Sequence, residues 1–227
     1  DSGTAGSYAR FITVGDFLYI VDNENIQTFN VSDPSLPNKV DEQSIGSQIE
    51  SIFNFQDKLF IGSGQGLFIY TIPANGVPTQ AAAYNYDFPI LPCDPVVANS
   101  QYAYVTLSTT IDGGPCSRNA NVNELKIFDV SDVYNPIELT AYPMNEPKGV
   151  GLDGNTLFVC DGYAGLKVYD VSDPLNIQLI NSFENFYAFD VIPLDGLLLC
   201  VSDDNVYQYD YSNLNNIQQI SNIPIQF

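Results

Sequence analysis

Short apolar runs alternate with polar turns along nearly the whole chain. The runs are four to six residues long, rich in Val, Ile, Tyr and Phe, and separated by Asp-Gly, Gly-Asp or Asn-rich turns. The first group comprises the runs 11–14, 18–21 and 26–31. This spacing is typical of short antiparallel strands joined by hairpins. Because no window of about 12 residues keeps a helical apolar spacing without a breaker, the pattern predicts an all-β protein.

One short segment recurs and sets the architecture. The sequence Val-Ser-Asp-Pro at 31–34 returns at 171–174 and, as Val-Ser-Asp-Val, at 130–133, while weaker copies begin at residues 72 and 211. The five starts are separated by 41, 58, 41 and 40 residues. This period, with four strands per copy, predicts a five-bladed β-propeller with four antiparallel strands per blade. A right-handed parallel β-helix is the alternative, but its coils are shorter than this period.

The repeats predict a single propeller domain. A flexible N-terminal linker is expected at 1–7 and the domain at 8–227, with blades at about 8–47, 48–87, 88–144, 145–185 and 186–227. No Pro/Ser-rich or charge-rich linker interrupts this array. The long interval reflects extra residues at 111–121, which predict a long hairpin loop on one face of blade three. Such a loop is either functional or a tolerated surface insertion.

The charge balance narrows the classes of partner. The chain has 27 acidic and 7 basic residues, a net charge of −20 and a pI near 4.1. Nucleic-acid binding needs a positive surface, and an anionic membrane surface would repel this chain, so neither partner is expected. No apolar run of 18 residues predicts a membrane span. The acidic excess favours solubility as a monomer, with recruitment of a cation or a basic partner as the alternative.

The absence of histidine excludes several chemistries. It removes Ser-His-Asp and Cys-His catalysis, His-ligated transition metals and histidine pH switching. Carboxylate chemistry, Tyr and Lys roles, and oxygen-ligated cations such as calcium remain. No cofactor is predicted, and an oxygen-ligated cation such as calcium is the alternative that the composition leaves open.

The four cysteines fall into two pairs. Cys93 and Cys116 lie before the inner strand of blade three and in its insertion, so a disulfide between them would tie down the loop and stabilise the fold by about 3 kcal/mol. Cys160 and Cys200 lie within apolar runs on matching strands of adjacent blades. Buried free thiols are the expectation for this second pair, and a second disulfide is the alternative. The absence of a C-x-x-C pair gives a zinc site no support.

Polar residues recur at the predicted start of each innermost strand. When the repeats are superposed, this position is occupied by Ala9, Glu50, Asp94, Lys148 and Asp190, with Arg10 next to the first. In a propeller these strand ends surround the mouth of the central channel. Converging charges cost free energy unless they are paired. The position therefore predicts a small polar pocket for a cation or a hydroxylated ligand, with a merely solvated channel as the alternative.

Aromatic residues near the same strand ends form a second candidate site. They are Tyr84, Tyr86, Phe88, Tyr163, Phe186 and Tyr187. Aromatic platforms can stack on sugars or hold a protein partner. Packing between blades is the alternative for each of them.

The best-preserved repeat, at 157–161 and 165–174, resembles the LVIVD repeat family, and the resemblance extends over roughly residues 8 to 223. The copies in blades two and five lack Val-Ser-Asp-Pro. The resemblance implies a β-propeller of bacterial cell-surface or periplasmic proteins, with lipid anchoring through a Cys upstream of this sequence as in Bacteroides-type lipoproteins. Because the family has no agreed enzymatic activity, no catalytic residue is carried over.

Three functions remain open from the sequence. The leading hypothesis is a non-enzymatic binding or scaffold module of the cell envelope, which recognises an envelope protein or a glycan through one propeller face. The second is a carbohydrate-active hydrolase that uses two channel-mouth carboxylates, drawn from Glu50, Asp94 and Asp190, as acid and base or nucleophile. The third is a purely structural propeller with a cation or water in its channel.

Overall fold

Five antiparallel sheets of four strands each make up the fold, which confirms the predicted all-β, five-bladed propeller. The computed structural model describes residues 6–86, 95–109 and 122–225. Within each sheet the strands pair in chain order. From blade one to blade five, the first strands of successive blades lie against one another and line the centre of the ring.

The strand bounds follow the repeats. Blade one comprises β1 (Phe11–Val14), β2 (Phe17–Val21), β3 (Asn25–Asn30) and β4 (Asn38–Ser44). Blade two comprises β5 (Ile49–Phe55), β6 (Lys58–Ser63), β7 (Gly66–Thr71) and β8 (Thr79–Asn85). Blade three comprises β9 (Val96–Ala98), β10 (Tyr102–Ser108), β11 (Asn123–Asp129) and β12 (Ile137–Pro143). Blade four comprises β13 (Val150–Asp153), β14 (Thr156–Cys160), β15 (Leu166–Asp170) and β16 (Gln178–Phe183). Blade five comprises β17 (Ala188–Leu194), β18 (Leu197–Ser202), β19 (Asn205–Asp210) and β20 (Gln218–Pro224), with a 3₁₀ turn at Leu214–Asn216.

The recurring Val-Ser-Asp-Pro segment forms the corner between the third and fourth strands of a blade. In blade four the Asp170 carboxylate accepts a hydrogen bond from the Ser172 backbone N–H at 2.8 Å, and Asp173 accepts one from the Leu175 N–H at 3.1 Å. Two successive turns of this kind reverse the chain using only short polar side chains. The motif is therefore a folding element, which explains why it recurs without marking a site.

Four apolar clusters hold the blades together, one at each junction from blades one and two to blades four and five. Each cluster interlocks apolar side chains from two facing sheets, and burial of this area is the main stabilising contribution. Among the described residues no cluster of this kind joins blades five and one.

Equivalent residues in the five blades show the same difference in packing between the junctions. The fourth residue of the second strand faces the preceding blade, and it is fully buried at Ile61, Val105, Val159 and Cys200. Its counterpart in blade one, Ile20, is only half-buried. The junction between the last and first blades is thus the least tightly packed of the five within the described part of the chain.

No helix in the described part of the chain is long and apolar enough to cross a membrane.

Candidate functional site

The predicted ring positions lie where first strands begin, but they do not form one uniform cluster. Ala9 and Glu50 belong to the junction of blades one and two, where the Ala9 carbonyl accepts a hydrogen bond from the Ile52 N–H at 2.8 Å. The Arg10 guanidinium donates to the Ile49 carbonyl at 3.2 Å. Burial raises the pKa of the Glu50 carboxyl, and the positive charge of Arg10 opposes this rise. Asp94 lies outside the described residues, so its place in the ring stays a prediction.

Lys148 is buried and paired with a residue that the superposed repeats did not identify. Its Nζ lies 3.1 Å from Oε1 of Glu146, and its side chain is 6% exposed. The Ser108 hydroxyl is 3.5 Å from the same ammonium. Glu146 escaped the sequence comparison because that comparison considered one position per blade, and Glu146 precedes this position by two residues.

Asp190 is held by the segment that precedes blade one. Ser7 donates its hydroxyl proton to Oδ1 of Asp190 at 3.0 Å and accepts a hydrogen bond from the Val150 N–H at 2.8 Å. Val191 donates its backbone N–H to the same Oδ1 at 2.9 Å. Burial raises the pKa of the Asp190 carboxyl, and these hydrogen bonds oppose the rise. We call residues 6–9 the N-terminal latch, because they connect blade one to blades four and five.

Two glycines permit this close approach. A side chain at Gly6 or Gly149 would overlap the Asp190 carboxylate, so neither position accepts a β-carbon without rearrangement. The sequence placed Gly6 and Ser7 in a flexible linker because the segment is small and polar. In the structure Ser7 is 3% exposed, since a buried carboxylate needs the donor that its hydroxyl provides.

Tyr8 completes the latch at the centre of the ring. Its ring stacks on Phe189 of blade five, with centroids 5.0 Å apart and planes 9° from parallel. Burial raises the pKa of the Tyr8 hydroxyl, and the negative charges of Asp190 and Glu50 raise it further. Carboxylates of blades five and two therefore both act on the Tyr8 hydroxyl.

An exposed tyrosine pair lies beside the Lys148 ion pair. Tyr163 is 79% exposed, and its ring meets that of Tyr187 edge to face, with centroids 4.8 Å apart. The Tyr187 hydroxyl donates to Oε1 of Glu146 at 3.2 Å. The sequence singled out both tyrosines, and the structure brings them together across blades four and five. We call Glu146, Lys148, Tyr163 and Tyr187 the tyrosine site.

The tyrosine site stands on a rigid turn. Asp161, at the end of β14, accepts hydrogen bonds from the backbone N–H groups of Asn145 and Glu146 at 2.9 and 2.8 Å, which fixes the loop that carries the glutamate. Gly162 adopts a φ of +56°, and its carbonyl accepts a hydrogen bond from the Ala188 N–H at 2.9 Å. A β-carbon on Gly162 would lie 2.7 Å from Oε2 of Glu146. Glycine is therefore required where the turn meets the carboxylate.

The remaining aromatic candidates pack inside the fold. Tyr84 meets Phe128 edge to face at 4.9 Å, and its hydroxyl donates to Glu138 at 2.9 Å. Tyr86 meets Tyr84, with centroids 6.2 Å apart. Phe186 packs against the ring of Tyr207 at 4.8 Å. Phe88 lies outside the described residues.

Two of the four cysteines lie within the described residues. Cys160 and Cys200 are buried free thiols whose Sγ atoms lie 4.0 Å apart across the junction of blades four and five. Burial raises the pKa of the Cys160 thiol. Cys93 and Cys116 lie outside the described residues, and their disulfide stays a prediction. Within the described ranges no group of three or more acidic, Cys or His side chains is arranged to hold a metal ion.

A groove of about 340 Å³ lies at the other end of the sheets, between blades four and five. It is formed by the turns between the first and second strands of blades four and five, and by the corner after the third strand of blade five. Its polar lining includes Asp153, Asp195 and Tyr211, and the Tyr211 hydroxyl donates to Asp153 at 2.6 Å. This groove and the tyrosine site thus occupy opposite faces of the propeller.

The comparisons with known proteins agree with this geometry. Residues 6–42 and 147–185 match the LVIVD repeat model. No curated protein matches the sequence. A solved structure of a Lactobacillus plantarum protein superposes with a TM-score of 0.71 at 15% identity, covering 91% of this chain and 67% of that chain.

Two further solved structures share the fold. A functionally unknown protein from Desulfotomaculum acetoxidans has a TM-score of 0.71 at 10% identity, covering 99% of this chain and 69% of that chain. Citrobacter koseri AztD has a TM-score of 0.64 at 12% identity, covering 90% and 58%. At these identities the likeness concerns the fold alone. The chain folds as a five-bladed β-propeller, and segments of its first and fourth blades match the LVIVD repeat model.

Proposed function

We propose that this protein is a non-enzymatic recognition module that binds a glycan at the tyrosine site. The observation that carries the proposal is the Tyr163–Tyr187 pair, in which a 79% exposed ring stands beside a half-buried one. Exposed tyrosine rings are enriched at binding surfaces, because each offers a large contact area with few rotatable bonds. The face of a sugar ring presents C–H groups that pack against such a ring, while its hydroxyl groups need polar partners nearby.

The surroundings of the pair supply those polar partners. Glu146 is partly exposed and offers carboxylate oxygens, and the Tyr187 hydroxyl and the Lys148 ammonium are within hydrogen-bonding distance of Oε1. An aromatic platform flanked by a few fixed polar groups is the usual composition of a small-ligand site. An acyl chain or a purely apolar peptide would cover Oε2 of Glu146 without giving it a hydrogen-bond donor.

The preorganisation of the site favours binding. Gly162 is bonded to Ala188 of blade five and Asp161 holds the loop that carries Glu146, so the site is formed before a ligand arrives. A preformed site avoids the entropic cost of ordering loops on binding.

The hydrolase alternative gains no support from Asp190. Glycosidic hydrolysis needs two carboxyl groups that flank an open cleft, whereas the Asp190 carboxylate is bonded to Ser7 and packed against Gly6 and Gly149. A substrate would have to displace the N-terminal latch to reach it. This arrangement favours binding without turnover.

We further propose that the module works outside the cytoplasm, in a bacterial cell envelope, through a lipid anchor on a cysteine upstream of this sequence. The support for this setting is the resemblance of its repeats to those of envelope propellers. An envelope protein is the alternative occupant of the same face.

A glycan array tests the proposal. We expect fluorescently labelled wild-type protein to bind a defined set of oligosaccharides and the Tyr163→Ala variant to lose that binding. Tyr134→Ala is the matched control, because Tyr134 is also an exposed tyrosine, at 68%, but lies on a corner of blade three at the opposite end of its sheet. Retained binding by Tyr163→Ala would refute the proposal. Absence of any glycan signal together with Tyr163-dependent capture of a purified envelope protein would assign the face to a protein partner.

A further inference from the structure

We infer that the tyrosine site selects neutral glycans and rejects those that carry carboxylate or sulfate groups. This inference rests on the proposed function and concerns the same residues. It follows from the ion pair and the hydrogen bond that the charged groups of the site already form with one another.

The cation of the tyrosine site is not available to an anionic ligand. The Lys148 ammonium lies 3.1 Å from Oε1 of Glu146 and its side chain is 6% exposed. An anion that approached it would have to displace Glu146 from a buried ion pair, and breaking such a pair is costly because an uncompensated charge is left behind.

The other cation near the channel mouth is also engaged. Arg10 donates to the Ile49 carbonyl, and its positive charge opposes the rise that burial causes in the pKa of the Glu50 carboxyl. It belongs to the junction of blades one and two, on other blades than Tyr163. Recognition of uronates or sulfates usually depends on a free guanidinium or ammonium group, and the described residues of the tyrosine site offer none.

Two polar groups of the site have no hydrogen-bond partner among the described residues: the exposed Tyr163 hydroxyl, which can donate or accept, and Oε2 of Glu146, which carries the charge of the site and only accepts. Oε1 of Glu146 is occupied by Lys148 and Tyr187, whereas Oε2 lies against Gly162 and accepts no hydrogen bond from the described residues. An ionised carboxylate oxygen accepts hydrogen bonds and donates none. It therefore pairs with the hydroxyl group of a neutral sugar and repels a second carboxylate.

The charge of the whole chain acts in the same direction. A net charge of −20 produces a negative potential that lowers the encounter rate of anionic glycans, and salt screens this repulsion. Contacts between a neutral sugar and the Tyr163 ring carry no such salt dependence. Salt dependence thus separates the two ligand classes experimentally.

Titration calorimetry with neutral hexasaccharides of glucose, mannose and xylose, and with hexagalacturonate as the anionic probe, tests the inference. We expect at least one neutral sugar to bind wild type and Tyr134→Ala alike, and its affinity to fall about tenfold or more in Tyr163→Ala. Hexagalacturonate is expected to bind at least about tenfold more weakly than that sugar at low salt, and the gap is expected to narrow as salt rises. In Glu146→Gln, which removes the negative charge that neutralises Lys148, we expect the preference for neutral sugar to shrink or reverse.

The outcomes separate this inference from the proposed function. Tyr163-dependent binding of hexagalacturonate that equals or exceeds that of the neutral sugars, and that weakens with salt, would overturn the inference while leaving glycan recognition intact. Binding of none of these sugars, together with an empty glycan array, would overturn both. An unchanged preference in Glu146→Gln would show that the glutamate does not select the ligand, which also contradicts the inference.

Discussion

The hydroxyl of Ser7 donates a hydrogen bond to Oδ1 of Asp190 at 3.0 Å, although 183 positions separate the two residues. Through this contact the segment before blade one reaches the first strand of blade five. The described blades five and one share no buried apolar cluster, so the polar latch performs part of the closing role that packing performs at the other junctions. The ring is closed at its centre and loosely packed further out.

Removing the Ser7 hydroxyl is expected to destabilise the protein. Ser7→Ala leaves Asp190 without one of its donors and the Val150 N–H without its acceptor, so the free energy of unfolding should fall by about 1 to 3 kcal/mol. Urea denaturation measures this free energy of unfolding. Ser35→Ala is the matched control, because Ser35 also donates to a carboxylate, that of Asp33 at 2.7 Å, but on the exposed surface. An equal loss in both variants would contradict the structural role of the latch.

Because Gly149 lies so close to Asp190, a side chain at this position is expected to destabilise the protein more than Ser7→Ala does. A methyl group there would overlap Asp190 of the neighbouring blade, so Gly149→Ala should lower the free energy of unfolding by about 3 kcal/mol or more through overpacking. Gly154→Ala is the comparison, because nothing lies within 4 Å of its β-carbon position and only its positive φ of +56° opposes a side chain. That backbone strain costs about 1 to 2 kcal/mol. Thermal melts of equal midpoint for the two variants would refute the overlap.

The stability contribution of Asp190 depends on pH in a direction opposite to that of most acidic residues. Burial raises its pKa above the ordinary value of 3.8 in the folded protein. The native state therefore holds this proton more tightly than the unfolded chain does, so the associated stability is complete below the unfolded pKa and is lost as pH rises through the folded pKa. The Asp190→Asn variant has no titratable group at this position and therefore serves as the reference.

We therefore expect the stability of wild type relative to Asp190→Asn to decline as the pH rises from below the ordinary value of 3.8 through the raised pKa of the folded protein. Urea midpoints at a series of pH values measure this difference. A relative stability that rises with pH would mean that the hydrogen bonds from Ser7 and Val191 outweigh burial and that the folded pKa is lowered.

Because the junction between blades five and one is loosely packed, the same Ile→Ala substitution is expected to lower the free energy of unfolding by different amounts at two equivalent positions. Ile61 and Ile20 occupy the same position in their blades, yet Ile61 is fully buried and Ile20 half-buried. Ile61→Ala should lower the free energy of unfolding by about 2 to 5 kcal/mol. Ile20→Ala should cost clearly less, about 1 kcal/mol, because less apolar area leaves water at that site. Equal losses on denaturation would show that the fifth junction is as well packed as the others.

The period of the Val-Ser-Asp-Pro corners was sufficient to predict the number of blades and of strands per blade. Each corner is a local structure built from side chains that bond to their own backbone, so it is readable without knowledge of tertiary contacts. The tyrosine pair was partly predictable for a similar reason. Tyr163 lies between two glycines in a hairpin turn, and Tyr187 precedes a first strand, so both were placed near the channel mouth.

Contacts between distant segments escaped prediction. The latch depends on Ser7 meeting Asp190, and nothing in a small polar segment distinguishes a buried donor from a solvated linker. Glu146 likewise acquires its role from Lys148 and Tyr187, which belong to two blades. The sequence comparison also treated equivalent positions as one ring, whereas Lys148 pairs locally and Asp190 bonds to the latch.

The most direct test of glycan recognition at the tyrosine site is backbone-amide NMR of the wild-type protein titrated with the strongest ligand from the glycan array. We predict that the perturbed resonances cluster at Gly162, Tyr163, Tyr187 and Ala188 and that saturation follows a single site. Perturbations confined to the groove around Asp153 and Asp195, on the opposite face, would contradict the assignment of the site.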